Sequence, residues 1–282
     1  VKLATIRTAE TTSAVRIELD SATAVLLDAT DVGALLADPL WRSKAADADG
    51  IVVSLDSIDY APLIPRPDKI VCVGLNYRTH ILEMGHDTPS YPTLFAKYRS
   101  SLIGANDDIV LPAVSTKVDW ECELAIIIGS AVRHADEQSA AAAIAGYSIL
   151  NDVSARDWQN RTSQFLQGKT FESSTPLGPW LVTADELDAA PGPLQRIVCE
   201  VDGETMQDST TDDLLFDCRT IVSYISTIMT LLPGDVIATG TPSGVGAGRS
   251  PQRFLQHGNL VVSTISGLGE LRNRCVREVL PG

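Results

Sequence analysis

The stretch Asp119 to Gly129 reads DWECELAIIIG and sets two demands that conflict. From Leu124 to Ile128 the side chains are apolar without a break, the pattern of a strand covered on both faces. Residues two apart in a strand share a face and lie ~6.8 Å apart along it, so Glu121 and Glu123 point one way and Cys122 the other. Two like charges leading into a segment built for burial repel and raise each other's pKa unless a cation sits between them. A metal ion resolves the conflict.

Further strand signals lie on both sides of this run: KIVCVG at 69–74, RIVCEVDGE at 196–204 with Asp202-Gly203 as a hairpin turn, DVIATG at 235–240 and NLVVSTIS at 259–266. Helices are expected over the Ala-rich DEQSAAAAIAGY, 136–147, and over 212–232, where Leu214, Ile221, Ile225, Ile228 and Leu232 keep helical spacing until Pro233-Gly234. So few helices between so many strands exclude a regular βαβ alternation and give a mainly β, α+β fold. Near the N-terminus, Val15, Ile17 and Leu19 alternate as in a strand, and Val32, Leu35 and Leu36 suit one face of a short helix. The segment DYAPLIPRPDK follows, and its three prolines predict an extended connection without a regular element. The expected organisation is a small β-rich N-terminal domain with its linker, 1–68, and a second domain, 69–282.

The chain has 282 residues, 44% hydrophobic and 21% charged, enough to bury a large core, and a net charge of -14 with no basic stripe. Phosphate backbones are repelled, so nucleic acid is excluded as a partner. No apolar run reaches the ~18 residues of a bilayer span, and no leader pattern opens the sequence, so no membrane partner and a cytoplasmic location are expected. The five cysteines are widely spaced and form no C-x-x-C pair, as expected of reduced, mostly buried thiols.

A pair of glutamates needs a third ligand, and Asp152 in SILNDVSARDWQ follows an apolar run at the kind of strand end where site residues are presented. Asp157 competes, but it stands at what reads as a helix start, where an acidic residue complements the helix dipole. Three carboxylates without His or Cys make a hard oxygen site suited to Mg²⁺ or Mn²⁺, or to Ca²⁺ if looser, rather than to Zn²⁺. His80 and Glu83, three apart, meet on one face of a helix, and the carboxylate raises the basicity of the imidazole. Gly74 and Gly85 bracket this segment as possible hinges of a lid. GKT at 168–170 lacks the glycine a P-loop needs at 163, and the glycines of 240–248 do not make G-x-G-x-x-G. The latter stretch reads instead as a loop whose amides and Thr241 could hold a small carboxylate.

Six motifs in order, VGLNYRTHILEMG, PTLFAKYRSSLIG, DWECELAIIIG, LNDVSARDWQ, GKTFESSTPLGPW and PGDVIATGTPSGVG, resemble those of the fumarylacetoacetate hydrolase family over residues 69–282. The resemblance implies a mixed β-sandwich roll, a homodimer, and one divalent metal held by Glu121, Glu123 and Asp152. It implies 2-oxo acid substrates, with His80 and Glu83 activating a water and Lys169 countering developing charge. Arg156 and Gln159 would orient the substrate, and Thr241 would hold its carboxylate. Lys97 and Arg99 match a basic cluster near the family's pocket. The first expectation is hydrolysis of an acylpyruvate, in which the metal lets carbanion charge spread onto the adjacent oxygen. The alternative is oxaloacetate decarboxylation or isomerisation of a dienoic diacid at the same site.

Overall fold

In the computed structural model, residues 1–85, 87–187 and 194–280 are described. The strand Cys122–Ile128 is buried at every position, as its unbroken apolar run requires. It lies inside a twelve-stranded sheet between Ile144–Asn151 and Val236–Ala238, antiparallel to both. Its alternate side chains serve two cores. Leu124, Ile126 and Ile128 pack with Ile197, Val201, Val261 and Ile265 of a second, five-stranded sheet. Ala125 and Ile127 pack on the other side with Leu3, Leu35, Trp41 and Leu63. Each isoleucine buried in this way contributes about 1.5–3 kcal/mol, so the run anchors the sandwich. The fold is mainly β with mixed sheets: Ile70–Gly74 runs parallel to Val236–Ala238, whereas most neighbours are antiparallel.

The N-terminal strands extend the same sheet. Lys2–Arg7 pairs with Thr175–Thr183, which pairs with Ile144–Asn151. The strand Thr12–Glu18 stops before Leu19, which is 48% exposed, so the alternation from Val15 ends one step earlier than expected. Val32–Leu36 is a helix, capped by the Asp31 carboxylate on Ala34 N–H, with Val32, Leu35 and Leu36 buried. The proline-rich segment does hold a short regular element: Asp59–Tyr60 pairs with Lys2–Arg7, because both residues precede the first proline and keep their N–H groups. Beyond it the chain is not extended as expected but bends through 63–66 without a regular element, and it is tied down by Leu63 N–H donating to the Leu177 carbonyl.

Both expected helices are shorter than the sequence pattern suggests. The first spans Glu137–Ala143 behind an Asp136 cap, and at Ile144 the chain enters a strand that is buried at all eight positions. Sheet burial there overrides the helical tendency of the alanines. The second spans Cys218–Ile228, where the Asp217 carboxylate accepts from Thr220 N–H and starts the helix. Leu214 lies ahead of that cap and pairs as a bridge with Tyr77. Asp202 and Gly203, both with φ above +50°, turn the hairpin between Arg196–Val201 and Glu204–Thr210. All five cysteines are free and buried.

Candidate metal centre and acid–base site

The register of the two central strands builds the site. Cys122 lies opposite Asn151, so Glu121 and Asp152, one step beyond each, meet where the strands end. Glu121, Glu123 and Asp152 are buried, and one carboxylate oxygen from each lies within 4.8 Å of the others. Glu121 receives Arg156 Nη1 at 2.6 Å and Lys169 Nζ at 2.5 Å. Asp152 is clamped by Lys97 Nζ at 2.6 Å on one oxygen and by Lys169 Nζ at 2.8 Å on the other. Among the described residues, Glu123 accepts only from the Gly240 amide, at 2.7 Å.

These partners separate the two glutamates electrostatically. Burial works against the charge of Glu121, but Arg156 and Lys169 overcome it and hold the carboxyl down at about 2. Among the described residues no cation bonds Glu123, and burial together with repulsion from Asp152 and Glu121 outweighs the pull of Lys169 and pushes it well above the usual carboxylate range. Its charged form therefore needs another positive charge close by. Three converging carboxylates with no His or Cys among them are the donor set of a hard divalent ion, so the residues fit such an ion, whose identity they leave open.

Across a cavity of about 200 Å³ from Glu121 and Glu123 stands His80, on the short helix Arg78–Glu83. His80 Nδ1 is 3.0 Å from Glu83 Oε2, and Glu83 Oε1 accepts from the Gly244 amide at 2.9 Å. Burial favours protonation of Glu83, but the bonds from His80 and Gly244 outweigh it and keep the carboxyl below its usual range. Arg156, Gln159, Lys169 and Thr241 line the same cavity. Gly168 makes this possible, since a Cβ there would come within 2.5 Å of the Gln159 backbone nitrogen, so only glycine lets the Leu166–Lys169 turn press in and deliver Lys169. Phe95 and Phe165, edge to face at 5.7 Å, form an apolar wall.

Several residues have engagements that sequence alone did not reveal. The Thr241 hydroxyl donates to the Cys122 carbonyl and accepts from Gln207, so its hydrogen is already used. The amides of the glycine-rich loop hold carboxylates, but the protein's own: Gly240 holds Glu123, Gly244 holds Glu83, and Gly246 and Ala247 hold Asp119. Asp157 bonds Ser115 Oγ at 2.6 Å, a structural tie outside the cavity. Arg99 is exposed, and His86 lies outside the described residues. Lys97, placed near the pocket by the family resemblance, clamps Asp152, whereas Asp119 and Gln207 are site residues that the sequence reading passes over. For Asp119 a signal existed, because it precedes Glu121 and Glu123 at the same two-residue step.

Known proteins share the sequence and fold that build this site. Residues 69–276 match the family described as fumarylacetoacetate hydrolase, C-terminal. A mitochondrial oxaloacetate tautomerase of Homo sapiens is 43% identical over 83% of this chain and 74% of its own length. A 5-carboxymethyl-2-hydroxymuconate delta-isomerase from Mycobacterium smegmatis is 36% identical with a TM-score of 0.82, covering 99% of this chain and 100% of that one. A fumarylacetoacetate hydrolase from Exiguobacterium antarcticum is 33% identical with a TM-score of 0.87, covering 98% and 99%. No helix among the described residues is long and apolar enough to cross a membrane. The human relative's name places it in mitochondria, a compartment the expectation of a cytoplasmic protein did not include.

Proposed function

The chain belongs to the fumarylacetoacetate hydrolase family, whose members are enzymes, and from that premise we propose that it interconverts the keto and enol forms of oxaloacetate or a similar short 2-oxo diacid. One arrangement carries the reading: two carboxylates of the caged triad, Glu121 and Glu123, line a cavity of about 200 Å³ together with His80, which is paired with Glu83. A divalent ion, Mg²⁺ or Mn²⁺, held by Glu121, Glu123 and Asp152 would supply a Lewis acid for the 2-oxo group. His80, oriented by Glu83, takes the proton from C3. Lys169 Nζ donates to the 2-oxygen, and Arg156 with Gln159 orients the substrate. One proton leaves carbon and one reaches oxygen, so the reaction balances without consuming water. We take a homodimer as the working assembly, which sedimentation would check.

Hydrolysis of an acylpyruvate, the first expectation from sequence, uses the same cage but adds an attacking water. The names of the tautomerase and isomerase relatives support keto–enol chemistry better than hydrolysis. Hydrolysis stays as the second reading because the fold matches a fumarylacetoacetate hydrolase at a TM-score of 0.87 and because His80–Glu83 could equally activate water. Following the enol absorbance of oxaloacetate with enzyme and Mg²⁺ or Mn²⁺ tests the proposal. Acceleration that EDTA abolishes is expected. Pyruvate release from an acylpyruvate with no change in the enol signal would replace the first reading by the second.

A further inference from the structure

Asp119 is fully buried, and its two oxygens are fully committed. Oδ1 accepts from the amides of Trp120 at 2.9 Å and Gly246 at 2.7 Å. Oδ2 accepts from the Ala247 amide at 3.0 Å and from Arg156 Nε at 2.8 Å. Arg156 Nη1 is taken by Glu121 at 2.6 Å and by Gln159 Oε1 at 2.9 Å. Arg156 Nη2 is buried and, among the described residues, has no hydrogen-bond partner. Arg156 is 7% exposed and lines the cavity. A guanidinium is rigid and planar, so fixing Nε and Nη1 also fixes where Nη2 points. Leaving that buried donor without an acceptor is costly, and an anionic ligand in the cavity would relieve it.

We propose that Asp119 is a positioning residue that, through Oδ2, turns Arg156 so that Nη2 meets the second carboxylate of a short 2-oxo diacid. The idea rests on the reading of the cavity as a 2-oxo acid site and names the feature that separates diacids from monoacids there. Thr241 is a poor rival for that carboxylate, because its hydroxyl hydrogen is donated to Cys122. The same loop that supplies Gly246 and Ala247 to Asp119 supplies Gly244 to Glu83, so recognition of the distal carboxylate and alignment of His80 share one support. Gly246 is required at that contact, since a Cβ would lie 2.7 Å from Asp119 Oδ1 and 1.8 Å from the Arg253 carbonyl.

The test is calorimetric binding of malate and lactate, each as both enantiomers, to the Mg²⁺-loaded protein. Both carry the same 2-hydroxy acid head and neither can enolise as a 2-oxo acid does, but only malate has the distal carboxylate. Asp119→Asn keeps Oδ1 for Trp120 and Gly246 and places an NH₂ where Ala247 and Arg156 need an acceptor. The wild type should prefer malate. In Asp119→Asn that preference should fall about tenfold or more, as for loss of a bond to a charged group, with lactate affinity changed less than about twofold. Arg156→Lys should lose the preference equally, and the double variant should lose no more. A wild type with no preference, or an Asp119→Asn protein that keeps it or weakens both ligands alike, would overturn the proposal. If Asp119→Asn does not fold, Asp119→Ser is measured in the same way and read against the same outcomes. Turnover is not read here, so failure of the keto–enol assignment and failure of this inference are seen in different experiments.

Discussion

The ion pairs along the N-terminal seam and those around the triad use the same residue types but do different things. At the seam, the Val1 amino group and Lys2 meet Glu186, and Arg7 meets Asp107 and Asp59, all with partly exposed side chains. In the site, Lys97, Lys169, Arg156, Asp119, Asp152 and Glu121 are all buried. Water screens the seam, and pairs of that kind contribute about 1 kcal/mol or less each. Burial makes the site's charges costly to separate and strict about geometry. The lesson is that a distance of 2.6 Å has no fixed worth, and burial decides whether it fastens a surface or holds a reactive group in place.

Removing Asp152 should give the largest effect. Asp152→Ala leaves both Lys97 and Lys169 short of a buried partner and should cost about 3–5 kcal/mol in denaturant unfolding without metal, along with most affinity for Mn²⁺ measured by paramagnetic resonance. A loss below about 1 kcal/mol would put the site in the same class as the seam. Next is His80→Ala, expected to slow oxaloacetate enolisation by about 10²–10⁴ while Mn²⁺ binding holds, because His80 is not one of the clustered carboxylates.

Smaller effects sharpen the contrast. Glu83 has its folded pKa lowered, so its stabilising contacts are complete above the unfolded carboxylate value, about 4.3, and are lost as pH falls through the lower folded value. The Gly244 amide shift followed by NMR should therefore titrate with a midpoint below the ordinary glutamate value, and a midpoint above it would contradict the geometry. At the seam, Arg7→Ala should cost only about 1 kcal/mol or less, a melting shift of roughly 2–4 °C at most. A much larger shift would mean that the seam behaves like buried structure.

What could be read from the sequence was local. The covered strand followed from Leu124 to Ile128, the hairpin from Asp202-Gly203, and the meeting of Glu121, Glu123 and Asp152 from a two-residue step plus a strand end. What could not be read depends on partners far along the chain. Lys97 gains meaning only when Asp152 reaches it, and Asp119 only when the 246–247 amides and Arg156 converge. Ile144 to Tyr147 carried a helical pattern that lost to burial between two neighbouring strands. The order of helix and strand there was set by tertiary neighbours rather than by local preference.

The glycine-rich loop answers three carboxylates from two segments, Glu83 from one and Asp119 and Glu123 from the other, through Gly240, Gly244 and the Gly246–Ala247 pair. Any insertion there would shift ion cage, base and guanidinium together, so evolution or an engineer seeking new substrates has little freedom in it. On the apolar wall of the same cavity Phe95 lies under the Lys169 ammonium, 5.0 Å from its ring centre, so Phe165 is where retailoring could proceed piecemeal.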